Sequence, residues 1–305
     1  MPAEAQTIPE RSPDVQATDD EALAAPTLAL TLGCDRTEKT VVFQQYATYP
    51  LRLSRSLSLD STDERRIYLY MMNSSPGLLA NDHLSTQIHL KPNAQLYLTD
   101  QAATKVHRMP QAQTSASLTT HLTIEAGATL EYVPEPLILF NEAEFHQSTQ
   151  VTLHPTGRLF LSDIFVPGRL ARNEYYGFRR YTNRLQVRSP EGQLLVEDAV
   201  NIPGQTNPFK NSSFVAPFPA IATAILYAPD LDLASLTSWI NTFHSKTHSD
   251  TPSPMQAGCS TLPYGNGLVI RAIADGVWPL KAYLHHILAG MRRVTGQFLL
   301  PTIPK

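Results

Sequence analysis

The chain has 305 residues, of which 42% are hydrophobic and 17% charged, and its formal net charge is −3. That length accommodates one large or two small domains around a sizeable core, and the low charge density is that of a globular protein rich in sheet. A nucleic-acid footprint, which needs a strongly basic face, is excluded as a reading.

Residues 1–25 hold six acids against Arg11 alone, which leaves the rest of the chain near +2. Their Pro, Ala, Gln and acidic bias cannot bury enough apolar area to offset ordering, so they read as a flexible acidic tail ahead of a single domain over 26–305. That acidic start lacks the basic and apolar regions of a signal peptide. The longest apolar stretch, Ala220 to Ala228, is about half of the roughly 20 residues a membrane helix requires. Cys34 and Cys259 stand far apart with no CxxC, against a disulfide framework or a thiolate zinc site. A soluble cytoplasmic protein without membrane contact is expected.

From Leu28 to about residue 200 the chain reads as a β body of alternating apolar and polar residues broken by Pro, Gly and Asn. One unit recurs: a period-two strand, a four-residue turn and a second strand, with turns at Lys91–Ala94, Glu125–Ala128, His154–Gly157 and Ser189–Gly192. Such units bury their apolar faces by stacking, which predicts either a β-helix-like body or a sandwich of ordinary hairpins. Residues 201–230, rich in Pro, Asn, Ser and Phe over 203–219, read as a loop region. Over 231–305 two helices and a final strand are expected. Asp230 and Asp232 are N-cap candidates for a helix with Leu233, Leu236, Ile240 and Phe243 on one face. Leu280, Leu284, Ile287, Leu288 and Met291 mark the apolar face of the other, with Arg292 and Arg293 in its last turn to complement the helix dipole. Leu268 to Ile273 reads as the strand between them, and the helix pair is placed on one side of the sheet.

Catalytic patterns are missing: there is no GxSxG, HExxH, P-loop or GxGxxG. His244 and His248, at i and i+4, offer a weak divalent-metal alternative to solvated side chains, while His285 and His286 point in different directions around a helix. Asp82, Asp100, Glu135, Asp163 and Glu174 lie in the repeat region, where they would converge on a shared concavity or else serve as turn carboxylates.

At Thr99-Asp-Gln-Ala-Ala-Thr-Lys-Val-His-Arg108 the chain resembles the TTQAATKxYR segment of the UreD (UreH) family of urease accessory proteins. Gly77-Leu-Leu-Ala-Asn-Asp82 resembles the family's GGLxxGD turn, Leu130 to Phe140 its LEYLPQPxIxF strand, and Gly168-Arg-Leu-Ala-Arg-Asn-Glu174 its GRxAxGE segment. Asn81 and Asn173 stand where those motifs carry glycine, and Asn is the residue after glycine that best tolerates a left-handed backbone.

The resemblance implies a helical stack of β-strands with a small helical pair on one side. It implies a non-enzymatic nickel-delivery scaffold that works with UreF and UreG on apo-urease, with nickel in transit, no tightly bound cofactor and an internal tunnel for the metal. By position, Asp82, Thr104, Lys105, Glu135 and Glu174 are the candidates for lining that route, with Lys105 balancing the acids, and Gly77, Gly168 and Arg169 shape the turns. Without the resemblance, a carbohydrate-active hydrolase on a β-solenoid or a scaffold without a metal role remain as alternatives.

Overall fold

The computed structural model describes residues 25–60, 65–245, 255–263 and 266–304; the acidic tail read over 1–25 lies outside them except for Ala25. The described chain opens with β1 (Leu28–Cys34), β2 (Thr40–Ala47), β3 (Leu51–Leu53) and β4 (Arg66–Asn73). Next come β5 (His83–Leu90), β6 (Gln95–Asp100), β7 (Thr104–Val106), β8 (Ala116–Ile124), β9 (Thr129–Val133), β10 (Leu137–Leu139), β11 (Glu144–Leu153) and β12 (Arg158–Val166). The remainder is β13 (Arg180–Arg188), β14 (Leu194–Pro203), β15 (Ala220–Tyr227), α1 (Leu233–Ser245), β16 (Met255–Thr261), β17 (Gly267–Ala274) and α2 (Val277–Val294).

The protein is mainly β, as expected, and its strands form two open sheets. One has seven strands in the order β14-β13-β11-β8-β5-β1-β2; the other has ten, with β16-β17-β15-β12-β9-β6-β4-β3 as its main path, β10 beside β12 and β7 beside β10. The first three turns of the repeat carry the chain from the first sheet to the second. Strands on either side of each turn therefore join different sheets, and β5, β8 and β11 pair in parallel, as do β6, β9 and β12. The turns stack on one another: Asn93 N–H donates to Ala126 O at 2.9 Å, Arg158 N–H to Ala128 O at 2.8 Å, and Gly127 N–H to Thr156 Oγ1 at 3.1 Å. The fourth turn differs. Ser189–Gly192 closes an antiparallel hairpin within the first sheet, because β14 pairs back onto β13.

Inward residues of both sheets make a shared core in which Leu32, Leu90, Leu96, Leu98, Leu130 and Leu159 are fully buried. Each such side chain contributes about 1.5–3 kcal/mol by leaving water. The outer face of the second sheet is covered by α1 and α2 through Leu236, Ile240 and all five apolar residues expected on the second helix. Asp232 is the cap of α1, accepting from the N–H groups of Ala234 and Ser235 at 3.1 Å, whereas Asp230 pairs with Arg158 at 2.7 Å.

Two expectations need correction. The stretch 201–230, read as loop, contains β15, an eight-residue strand central to the second sheet. Two strands, β16 and β17, lie between the helices where one was expected. Arg292 lies in the last turn of α2 as expected, and the sequence reading lacked its partner: it is fully buried, and its Nε donates to Glu131 Oε1 at 2.7 Å. Arg66 approaches the same carboxylate at 3.6 Å, and Tyr68 donates to Asp60 at 2.8 Å while accepting from Arg292 at 3.2 Å. Burial alone would raise the Glu131 carboxyl, but the two guanidinium groups outweigh it and hold the group below the usual carboxylate range. Among the described residues no helix is long and apolar enough to cross a membrane.

Candidate functional site

Where the two sheets diverge, a cavity of about 60 Å³ remains between them, bordered by Asp100, Thr104, Tyr132, Glu135, Asp163 and Asn183. That space is large enough to admit water. Asn183 Oδ1 is buried there without a hydrogen-bond partner, whereas Ser162 Oγ, also unpartnered, falls by strand alternation on the helix-covered face of β12 with Phe160 and Ile164. On one side Asp100, Thr104, Leu118 and Tyr132 also line a second pocket of about 360 Å³, which reaches Asn73, Ser75 and Lys105. On the other, Pro134, Glu135 and Ile164 also line a groove of about 590 Å³ between α2 and the final segment, walled by Trp278, Lys281, His285 and Ile303.

Local structure explains why carboxylates meet here. Asp100 ends β6 and accepts the Glu135 backbone N–H at 3.3 Å, so the segment leaving β9 is tied beside it. Glu135 is 10% exposed and receives the Lys281 ammonium from α2 at 2.8 and 2.9 Å. Burial pulls Lys281 below the usual lysine range. Asp163 sits within β12, not at a turn, and shares a strand face with Leu161, whose side chain belongs to the core between the sheets. It accepts from Asn183 Nδ2 at 3.2 Å and from Thr223 N–H at 3.3 Å. Burial lifts its carboxyl to about 6 against the opposing Thr223 hydrogen bond, and the Asp198 carboxylate adds to the rise.

The remaining expected site residues lie elsewhere. Asp82 is a turn cap whose Oδ2 accepts from Leu79 N–H at 2.7 Å. Glu174 is locked in a two-pronged pair with Arg169, whose guanidinium lies 4.6 Å from the Phe140 ring centroid. Hydrogen bonding to Arg169 holds the Glu174 carboxyl below the usual range. Lys105 is exposed at the outer pocket, and the ammonium paired with Glu135 is that of Lys281. The charge balance expected from Lys105 thus comes from α2. His244 ends α1 and His248 lies outside the described residues, and among those residues no group of three His, Cys, Asp or Glu forms a metal cluster.

The turn residues do what their chemistry predicts. Gly77, at φ 147°, lies so close to β7 that a Cβ there would sit 2.5 Å from Lys105 O, and Leu78 N–H donates to that same oxygen at 2.7 Å. Gly168, at φ 149°, passes Glu174 O at a distance that leaves no room for a Cβ. Asn81 and Asn173 adopt left-handed φ values of 66° and 56°. Lys281 escaped the sequence reading because nothing local to α2 marks it; its meaning comes from Glu135, 146 positions earlier.

Two open β-sheets with a small carboxylate-edged cavity between them, and a helix pair on one outer face, define a mainly-β, two-sheet protein. Residues 25–304 match the model of the UreD urease accessory protein family. The chain belongs to that family. It is 41% identical over 278 residues to the urease accessory protein UreD of Trichodesmium erythraeum, covering 91% of this chain and 98% of that relative. It is 33% identical over 258 residues to the UreD of the archaeon Haloarcula marismortui, covering 84% of this chain and 83% of that one. A UreD 1 of Pseudomonas syringae pv. tomato is 30% identical over 248 residues.

Proposed function

We propose that this chain is a cytoplasmic, non-enzymatic urease maturation factor. It binds apo-urease together with UreF and UreG partners, and nickel crosses its interior as cargo on the way to the urease active site. The reading is supported above all by three carboxylates, Asp100, Glu135 and Asp163, around one cavity whose lining residues are shared with a pocket on one side and a groove on the other. Carboxylate oxygens and waters suit a borderline divalent cation and hold it loosely, which favours transfer over storage. A glycosidase, by contrast, needs its two carboxylates beside a ligand cleft of roughly 300 Å³ or more. The cavity that gathers all three acids is about 60 Å³.

The test is activation of purified apo-urease by the full accessory complex at limiting nickel. Asp100→Asn with Glu135→Gln is expected to lower the activation rate about tenfold while the complex still assembles on size exclusion. Wild-type activation by a correctly assembled variant complex would refute the route. Asp82→Ala and Glu174→Ala should act through folding alone.

A further inference from the structure

The helix α2 has two different sides. Leu280, Leu284, Ile287, Leu288 and Met291 pack on the second sheet, and on the opposite side stand Trp278, Ala282, His285, Ala289 and Arg293, each three or four positions after the last. The outward row of a surface helix is normally rich in charge, but this one holds none from Trp278 to Ala289. Its one titratable member is kept neutral: partial burial, with Arg292 and His286 nearby, holds His285 below the ordinary histidine range. Trp278 is 81% exposed, and it forms a wall of the outer groove together with Ala282 and His285. Charge returns only at the two ends, in Asp275 just before the helix and Arg293 in its last turn, both exposed. Neither makes an ion pair among the described residues; the Arg293 guanidinium lies 5.1 Å from the Trp239 ring centroid.

We infer that this outward row is the contact between two copies of the chain, packed α2 against α2 in antiparallel fashion about a two-fold axis level with Tyr283 and Leu284. A two-fold contact uses the same patch on both copies, so the patch must be complementary to its own reverse. This row is. Reversed, it sets Trp278 against Ala289 of the second copy, His285 against its Ala282, and the Asp275 end beside its Arg293 end. A large side chain meets a small one at each step, which lets two helices approach to about 8–10 Å. Opposite charges meet at both ends of the pair, and antiparallel helix dipoles favour the same arrangement. A different protein would have no reason to require that the row match its own reverse. The 18 residues of α2 span about 27 Å, so the contact is small and belongs to the weak, reversible class of specific interfaces. It does not depend on the nickel route.

The experiment is sedimentation velocity of the full-length chain from about 2 to about 200 μM at neutral pH, with folding checked by circular dichroism. The wild type is expected to dimerise reversibly, with a dissociation constant of roughly tens of micromolar. Asp275→Arg and Arg293→Asp each place like charges together at both ends of the pair and should weaken the dimer about tenfold. Combining the two reversals restores opposite charges and should bring the affinity back to within about threefold of wild type. Ala289→Trp, which sets indole against indole, should leave the chain monomeric. If a charge variant does not fold, Trp278→Ser, at an exposed position, carries the test with an expected weakening of about tenfold. A wild type that stays monomeric at about 200 μM overturns the inference and leaves the face to a different partner. A dimer that neither Trp278→Ser nor the single reversals weaken overturns it too, because the contact then lies elsewhere. Weakening by the single reversals without rescue by the double change refutes the antiparallel pairing.

Discussion

Glu131 and Glu135 lie four residues apart on one segment, and both reach cations on α2, yet they are held in opposite ways. Glu131 is 1% exposed and gripped by the fork of Arg292, with Arg66, Tyr68 and Asp60 closing the network around it. Glu135 borders the cavity and the groove and is held by the single ammonium of Lys281. The first arrangement pairs its charges within a buried interface and fastens α2 to the second sheet. The second leaves a carboxylate at the edge of the cavity and the groove.

The sharpest way to break that comparison is at Arg292. Arg292→Met alone leaves Glu131 buried without its main partner and is expected to cost about 3–5 kcal/mol in urea denaturation, whereas adding Glu131→Gln should recover part of the loss. A penalty below about 1 kcal/mol for the single change would mean that Glu131 is no more firmly held than Glu135.

Asp163 offers the opposite sign. Its folded-state pKa of about 6 lies above the ordinary aspartate range, so the folded protein binds the proton more tightly than the unfolded chain does. Stability from this group is therefore present at low pH and is lost as pH rises from about 4 through 6. Asp163→Asn is expected to stabilise the protein by about 2 kcal/mol at pH 8 and to change nothing at pH 4, as read from denaturation midpoints at the two values. Destabilisation at pH 8 would place Asp163 with Glu131 among the structural acids.

Smaller effects separate the turn acids from the cavity acids. Gly168→Ala forces a Cβ against Glu174 O at a φ that side chains rarely adopt, and is expected to cost about 1–3 kcal/mol. Asn173→Gly, at a left-handed φ that both residues accept, should stay within about 0.5 kcal/mol on thermal melts. Neither should disturb the cavity, because Glu174 is bound up with Arg169 and does not line it.

Much of the architecture was legible because it is locally encoded. Period-two strands, the turns at Lys91–Ala94, Glu125–Ala128 and His154–Gly157, and the apolar face of α2 each depend on residues close in the chain, and each is found where the pattern places it. The fourth turn carries the same local signal, but its strands pair within one sheet, since turn chemistry specifies a reversal and not which sheet receives the returning strand. β15 was hidden behind a Pro-rich approach, and its alanines became strand residues only by packing under the helices.

Among the candidate site residues, Thr104 and Glu135 border the cavity, while Asp82 and Glu174, equally prominent in sequence, make turn contacts. Spacing shows that acids are available near a turn but not the direction in which each side chain points. Asp163 reaches the cavity through strand alternation, and Lys281 reaches Glu135 only because α2 folds back across the second sheet. The sequence by itself determined the mainly-β body, the helix pair and membership of the UreD family, all properties of local pattern and ordered motifs. Only the tertiary structure decided which carboxylates share a cavity and which cations hold them, because ion pairing is set by distance in space between segments that the chain keeps more than a hundred residues apart.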